Sequence, residues 1–435
     1  MPQERNETRD RGVDVVLEQA AARFGTPVYV LDAETIASRA AEVEAAFPAP
    51  WIHQYSLKAN DLPAVVSIMA ERGWGANVVS SGEWSAAREA DVADPAVTFE
   101  GIGKTDVELR QAVQSAARGE PLRWLAVESP DEAQVLELAA AAARLGERGL
   151  PPIDVLLRLN PQVQPETTPG LAVGAGSSKF GMYADEIRVL MADSRGSGVR
   201  IRGIHVHVGS DLRDVGAWVD AGVQAVRLLG ELATSIDSAD TVDFGGGFPL
   251  TSQGAPGPAL FQEALDAALA AEGLDWPAVR AVEPGRYLVG GAGWLVSSVL
   301  HSRPRSPHGQ QVVLDAGMTE LIRPALYGSR HAVRALTGGA GRGGLLDTAV
   351  EGPVCESTDS FGTHALPPLR RGDLVGIEGA GAYAASFTSR YNGRPPPPEV
   401  MVWPDGTLQL CDRGAVPGRE VQTPRPPRRP ELRPA

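Results

Sequence analysis

Four short stretches hold side chains able to do chemistry. The first is YSLKAN at 55–60, which sets Lys58 after the apolar Leu57 and before a turn. A strand of a buried sheet should end there, and packing gives no reason for an amine. A lysine in such a place can form a Schiff base with an aldehyde, provided it is deprotonated. Burial beside another cation favours that state by lowering its pKa.

The second is HVHVGS at 205–210, where His205 and His207 alternate with valines and so face one side of a strand. A His-x-His pair can bind metal, but only with further ligands at other strand ends. The chain has seven histidines, and apart from His53 no other falls at such an end. The expectation is therefore no metal. His207, nearer the rim, suits a planar cofactor lying against it; His205, one layer down, reads as a core histidine without a role.

The third is GGGFP at 245–249, and the fourth is Glu283-Pro284-Gly285-Arg286. A glycine run can be only a tight turn. It can also expose backbone N–H groups to a phosphate, with the Ser210 hydroxyl as a further donor. Glu283 could be one half of a loop salt bridge, or a carboxylate that keeps a pyridine nitrogen protonated and so makes the ring an electron sink. Arg286 could reach a phosphate or a substrate carboxylate. The segment EGIGKT at 100–105 resembles the end of a phosphate loop, but the position needing its first glycine is Thr98, so that reading fails.

The elements that must position these groups follow from the apolar pattern. Runs rich in β-branched residues occur at 51–57, 75–80, 97–101, 124–129, 154–160, 201–209, 241–246 and 280–284. Seven stretches rich in Ala, Leu, Glu and Arg separate them, with apolar residues at helical spacing. Such alternation predicts parallel strands, and eight of them predict a (β/α)8 TIM-type barrel over 36–285. Lys58, His207, the glycines and Glu283 then all fall on the C-terminal rim, where barrels carry their chemistry. Beyond 286 the text changes to strand and turn material such as VVLDAG and DLVGIEGAGAY. This predicts a second, β-rich domain from 13–35 plus 286–420. Residues 1–12 read as a flexible N-terminus and 421–435 as a disordered Pro/Arg-rich tail.

Composition excludes some partners. Of 435 residues, 54 are acidic and 40 basic, for a net charge of −14. Nucleic acid needs a basic face, so it is not expected as a partner. Two cysteines, Cys355 and Cys411, rule out a disulfide framework and point to a cytoplasmic protein. No signal pattern opens the chain, and no apolar run of about 18 residues predicts a membrane span.

Taken in order, these motifs resemble those of the fold-type III, pyridoxal-phosphate-dependent decarboxylases, with the alanine racemase-like architecture. The branch most similar is that of the diaminopimelate decarboxylases. The motifs are YSLKAN (55–60), SKFG (178–181), HVHVGS (205–210), GGGFP (245–249), EPGR (283–286), RPALYG (323–328), CES (355–357) and GAY (381–383). The resemblance implies that Lys58 carries the Schiff base, that His207 stacks on the ring and that Glu283 faces the pyridine nitrogen. Ser210, Gly246, Gly247, Gly285, Arg286 and Tyr383 would hold the phosphate region. Arg286, Arg323, Tyr327, Glu356 and Tyr383 would surround the substrate. Cys355 would be the proton donor, supplied by the second subunit of a homodimer with shared active sites.

A thiol, with an ordinary pKa of about 8.5, suits that step; a small buried residue is the other reading of Cys355. The implied reaction is decarboxylation of meso-diaminopimelate to L-lysine and CO2. Alternatives are the same chemistry on another diamino acid or conjugate in siderophore or natural-product synthesis, and a non-catalytic cofactor-binding homologue. A racemase is a further rival. Two departures from the family pattern stand out: Asn77 in GANVVSSGE, where many members have Asp, and the loop TTPGLAVGAGSSKFG at 167–181.

Overall fold

The computed structural model describes residues 2–193, 198–250, 254–306, 309–336 and 343–413. The expected tail at 421–435 lies outside them. The chain opens with a helix, Pro2–Phe24, which takes in most of the residues expected as a flexible N-terminus. Leu17, Ala20 and Ala21 share one helical face and pack on Val28, Val30, Val296 and Val400.

Strand β1 (Val28–Asp32) follows. Then come the barrel strands β2 (Trp51–Ser56), β3 (Gly75–Val78), β4 (Val97–Phe99) and β5 (Trp124–Val127). The other four are β6 (Ile153–Leu159), β7 (Val199–Val206), β8 (Thr241–Asp243) and β9 (Val279–Val282). They pair in parallel in this order and close β9 onto β2, so each of the eight apolar runs became one strand. Helices return the chain between them. Their starts are written in the sequence: Ser80, Thr105 and Ser129 cap the helices Ser81–Glu89, Asp106–Ala117 and Pro130–Ala142, and Thr105 forms a capping box with Glu108.

The remaining strands are β10 (Gly293–Ser306), β11 (Gly309–Leu314), β12 (Val333–Ala335) and β13 (Leu346–Glu351). They continue as β14 (Ser360–Leu366), β15 (Leu374–Glu378), β16 (Glu399–Val402) and β17 (Leu408–Cys411). With β1 they make one nine-stranded sheet, in which β1 lies between β10 and β16. The architecture is thus a TIM-type barrel with a second, β-rich domain, as expected. Among the described residues no helix is long and apolar enough to cross a membrane.

Candidate active site

Directly after β2 the chain makes a single 3-10 turn, Leu57–Ala59. Leu57 and Ala59 are buried, and Lys58 between them lines a cavity of about 390 Å3. The phenol of Tyr55 donates to Asn60 O at 2.8 Å and fixes the exit of this turn. His207, Ser210, Arg286, Arg323, Tyr327 and Tyr383 line the same cavity. Residues from β2, β7 and β9 and from the β-rich domain therefore converge on the C-terminal rim of the barrel.

The electrostatics correct one expectation. Burial does push the Lys58 amine down, but Tyr383, Glu100 and Glu283 outweigh it, and the net shift is upward. Arg158, paired with Glu128 at 2.6 Å, adds a smaller downward pull that does not reverse the shift. The amine is thus held as a cation, by Tyr383 first and then by the carboxylates of Glu100 and Glu283.

Those carboxylates form a buried cluster at the floor. A one-residue bulge in β7, between the pairs Val155–Ile201 and Leu156–Gly203, precedes the two histidines. His205 is fully buried, and its Nε2 lies 3.2 Å from Glu100 Oε1 and 3.4 Å from Glu283 Oε2. Asn77 Nδ2 donates to Glu283 Oε1 at 2.5 Å. Burial and the adjacent Glu100 push the Glu283 carboxyl well up; burial and Glu283 do the same to Asp243. Burial would raise Glu100 too, but His205, a hydrogen bond with Glu283 and Lys58 hold it well below the usual range. Glu100 and Glu283 thus share one imidazole, with Asp243 close enough to act on Glu283, an acidic cluster suited to a ring nitrogen that carries a proton.

His207 turns elsewhere. Its Nδ1 accepts the Gly246 N–H at 3.2 Å. Burial, then Lys58, Arg158 and His205, hold its pKa well below the ordinary value, so the ring is neutral. The two histidines do not converge on one point, as a His-x-His metal pair would require.

The phosphate end is built from backbone. Gly247 has φ +111°, and a Cβ there would sit 2.7 Å from Leu212 Cδ1 and 2.8 Å from Gly209 O. A Cβ on Gly285 would press on Ala59 and Ser56, at 3.0 and 3.1 Å. Bare glycines are what let these strand ends close up. Among the described residues, the N–H groups of Gly247 and Gly285 have no hydrogen-bond partner. Arg286 donates Nε and Nη2 to Ser210 Oγ at 3.1 and 3.0 Å, and its guanidinium lies 4.7 Å over the Tyr383 ring. Open N–H groups, a hydroxyl and a cation form an anion cradle. With Lys58 and the acidic floor, the residues fit pyridoxal phosphate.

Arg323 is buried, lines the cavity and has no carboxylate partner among the described residues. Burial, and then Arg286, bring its pKa down to about 10, where it is still a cation at neutral pH. Tyr327, in the same short helix Arg323–Tyr327, packs its ring against Gly170 of the loop after β6.

Cys355 and Glu356 stand apart. Both are exposed, and neither lines the cavity of its own chain. Asp359 shapes their loop by accepting the Val354 N–H at 2.8 Å and the Met318 N–H at 2.6 Å; Tyr391 OH donates to Glu356 Oε1 at 2.6 Å.

The sequence marks Asn77 only as a departure from the family pattern, and it assigns no role to Glu100 or His205. Asn77 and Glu100 are polar residues in the predicted strands 75–80 and 97–101. That signal was present, but only four strand ends had been read for chemistry. Leu171, Val173 and Phe180, from the unusual loop, also line the cavity.

A closed parallel barrel carrying a lysine, a ring-sized cavity, an acidic floor and an anion cradle defines a pyridoxal-phosphate enzyme of barrel type. Residues 33–290 match the family described as "Pyridoxal-dependent decarboxylase, pyridoxal binding domain", and the chain belongs to that family. Within it the chain is 31% identical to the diaminopimelate decarboxylase of Zymomonas mobilis, over 93% of this chain and 94% of that one. It is 33% identical to the diaminopimelate decarboxylase of Deinococcus radiodurans, over 92% and 96%. The crystal structure of the Helicobacter pylori diaminopimelate decarboxylase complexed with L-lysine superposes with a TM-score of 0.81 at 28% identity, covering 90% of this chain and 95% of that one.

Proposed function

We propose that this chain decarboxylates the D-configured end of meso-diaminopimelate, giving L-lysine and CO2. The observation that carries the substrate choice is Arg323, a buried guanidinium without a carboxylate partner among the described residues, in the same cavity as Lys58. Lysine, ornithine and arginine have no second carboxylate to meet it; diaminopimelate has one.

When bound, pyridoxal phosphate supplies an aldehyde that captures amines and a protonated ring that accepts the electron pair left by departing CO2. Lys58 provides the amine for that aldehyde. His207, neutral and fixed by Gly246, offers a flat face to the ring. Glu283 holds a proton at the ring nitrogen. Ser210, Gly246, Gly247, Gly285, Arg286 and Tyr383 bind and orient the phosphate end. Arg323, Tyr327 and Tyr383 position the distal part of the substrate.

Cys355 returns a proton to the carbon that lost CO2, and Glu356 takes the distal ammonium. Both are exposed and outside their own chain's cavity, which supports a homodimer in which each subunit completes its partner's site. A cytoplasmic location goes with this reading.

The test is CO2 release from a panel of meso-diaminopimelate, L-lysine, L-ornithine and L-arginine. Release from diaminopimelate alone is expected. Silence there, with activity on another member, would retire the substrate and keep the reaction. Leu171 and Val173 in the cavity wall favour a second reading, a less polar diamino acid conjugate in a natural-product pathway.

A further inference from the structure

Beneath Glu100, which lines the cavity, Asn77 and His205 make contacts to Glu283 that have been given no role so far. Glu283 is 3% exposed and its carboxylate is contacted at both oxygens. Asn77 from β3 donates to Oε1 at 2.5 Å; His205 from β7 lies 3.4 Å from Oε2. Both partners are fully buried. Glu100, just past the end of β4, lies 3.2 Å from the same Nε2. Its other nitrogen, Nδ1, has no protein partner among the described residues, so the imidazole's polar contacts go to the two carboxylates. The ligand atoms of Glu100, His205 and Glu283 all lie within 4.8 Å of one another.

We propose that Asn77 and His205 are positioning residues that grip the two oxygens of Glu283 from opposite sides and aim its carboxylate at the cofactor's ring nitrogen. A carboxylate on two single bonds can otherwise rotate, and a charge-assisted hydrogen bond weakens steeply once it leaves line. Chemistry explains why an amide serves at position 77. Glu100, Asp243 and Glu283 already crowd the floor with three carboxylates. An Asp at 77 would face Glu283 as a fourth, whereas the Asn amide can donate to it. The upward shift of the Glu283 carboxyl is in keeping with that crowding.

This inference rests on the reading that Glu283 faces the pyridine nitrogen, and one experiment separates the two. The purified full chain, stripped of cofactor, is titrated with pyridoxal phosphate and with its 1-deaza analogue, in which carbon replaces the ring nitrogen. Dissociation constants are read by fluorescence quenching. The wild type is expected to prefer pyridoxal phosphate by on the order of tenfold or more, as one charge-assisted hydrogen bond implies. In Asn77→Ala and His205→Ala that preference should collapse toward one, while affinity for the deaza analogue stays within about twofold of wild type. That unchanged affinity also shows that the variant is folded. His205→Gln, which keeps a donor, should recover part of the preference. Equal loss of affinity for both compounds, or an undiminished preference in the variants, would overturn the clamp. No preference in the wild type would instead sink the role given to Glu283, and the clamp with it.

Discussion

The backbone N–H of Tyr383 donates to Ala59 O at 2.8 Å, one residue beyond Lys58. This bond joins the β-rich domain to the turn that carries the amine. Asn60 Nδ2 reinforces it by donating to Gly381 O at 3.0 Å. Tyr383 itself adopts φ +54°, an uncommon conformation for a side-chain-bearing residue, which fits a tyrosine locked in place at a site. The barrel supplies the amine, and the second domain closes the cavity over it.

Lys58→Ala should abolish turnover and the visible absorbance of a cofactor bonded to the chain. A spectrum of the purified variant, before and after adding pyridoxal phosphate, checks this. Retained absorbance would mean that another amine holds the aldehyde.

Gly247→Ala should cost cofactor affinity more than fold. Its Cβ would meet Leu212 Cδ1 and Gly209 O below van der Waals distance, and its φ of +111° disfavours any side chain. Relieving that contact must open the anion cradle. A rise of tenfold or more in the pyridoxal phosphate dissociation constant is expected, on the scale of about 1.4 kcal/mol per decade. Equilibrium dialysis measures it.

Arg323→Leu should lower kcat/KM for meso-diaminopimelate by on the order of 10- to 100-fold, the loss of a charge-assisted hydrogen bond of about 1.5–3 kcal/mol. Activity on a diamino acid lacking the second carboxylate should fall much less. Steady-state kinetics on both substrates decide; equal losses would mean that the arginine does not read the distal group.

Cys355→Ala should slow turnover by about 100-fold or more while cofactor stays bound, as for loss of a general acid. Mixing it with Lys58→Ala tests the shared site. Random exchange of two inactive dimers regenerates one intact site in half of the dimers, so roughly a quarter of wild-type activity should return. No recovery would confine each site to a single chain.

Glu83 predicts a pH effect on stability. Burial pushes its carboxyl from 4.5 up to about 7, against the pull of the Val79 N–H and of Lys58. The folded chain favours the acid form. That contribution is complete below the ordinary carboxyl range and is lost as pH rises through about 7. Glu83→Gln has the same shape and cannot ionise. It should melt with wild type near pH ~4 and above it near pH ~8, by on the order of 1–3 kcal/mol. Melting curves across that range test the sign.

Much of the fold was legible because each barrel strand is buried on both sides. Burial demands unbroken apolar runs, and such runs can be seen in a linear text. The groups at the ends of β2, β7, β8 and β9 were legible for the same reason: once the barrel is inferred, its rim is known. Asn77 and Glu100 were harder, since a polar residue inside a strand gains meaning only from what stands across the barrel. His205 was read as core packing because a strand pattern shows which way a side chain points and not what it meets. The upward shift of Lys58 reversed the expected direction, because Tyr383 from the second domain, with Glu100 and Glu283 from the ends of β4 and β9, outweighs burial and Arg158.

By itself the sequence determined the alternation of elements, the barrel, the amine, the glycine cradle and the family, all of which depend on local order along the chain. Tertiary structure decided which carboxylates share His205, which way Lys58 titrates and that Arg323 stands in the cavity with no ion pair among the described residues, Asp211 acting on it only from a distance. The physical reason is that charge acts through space. Residues more than a hundred positions apart set one another's protonation once closure of the barrel brings them within a few ångströms.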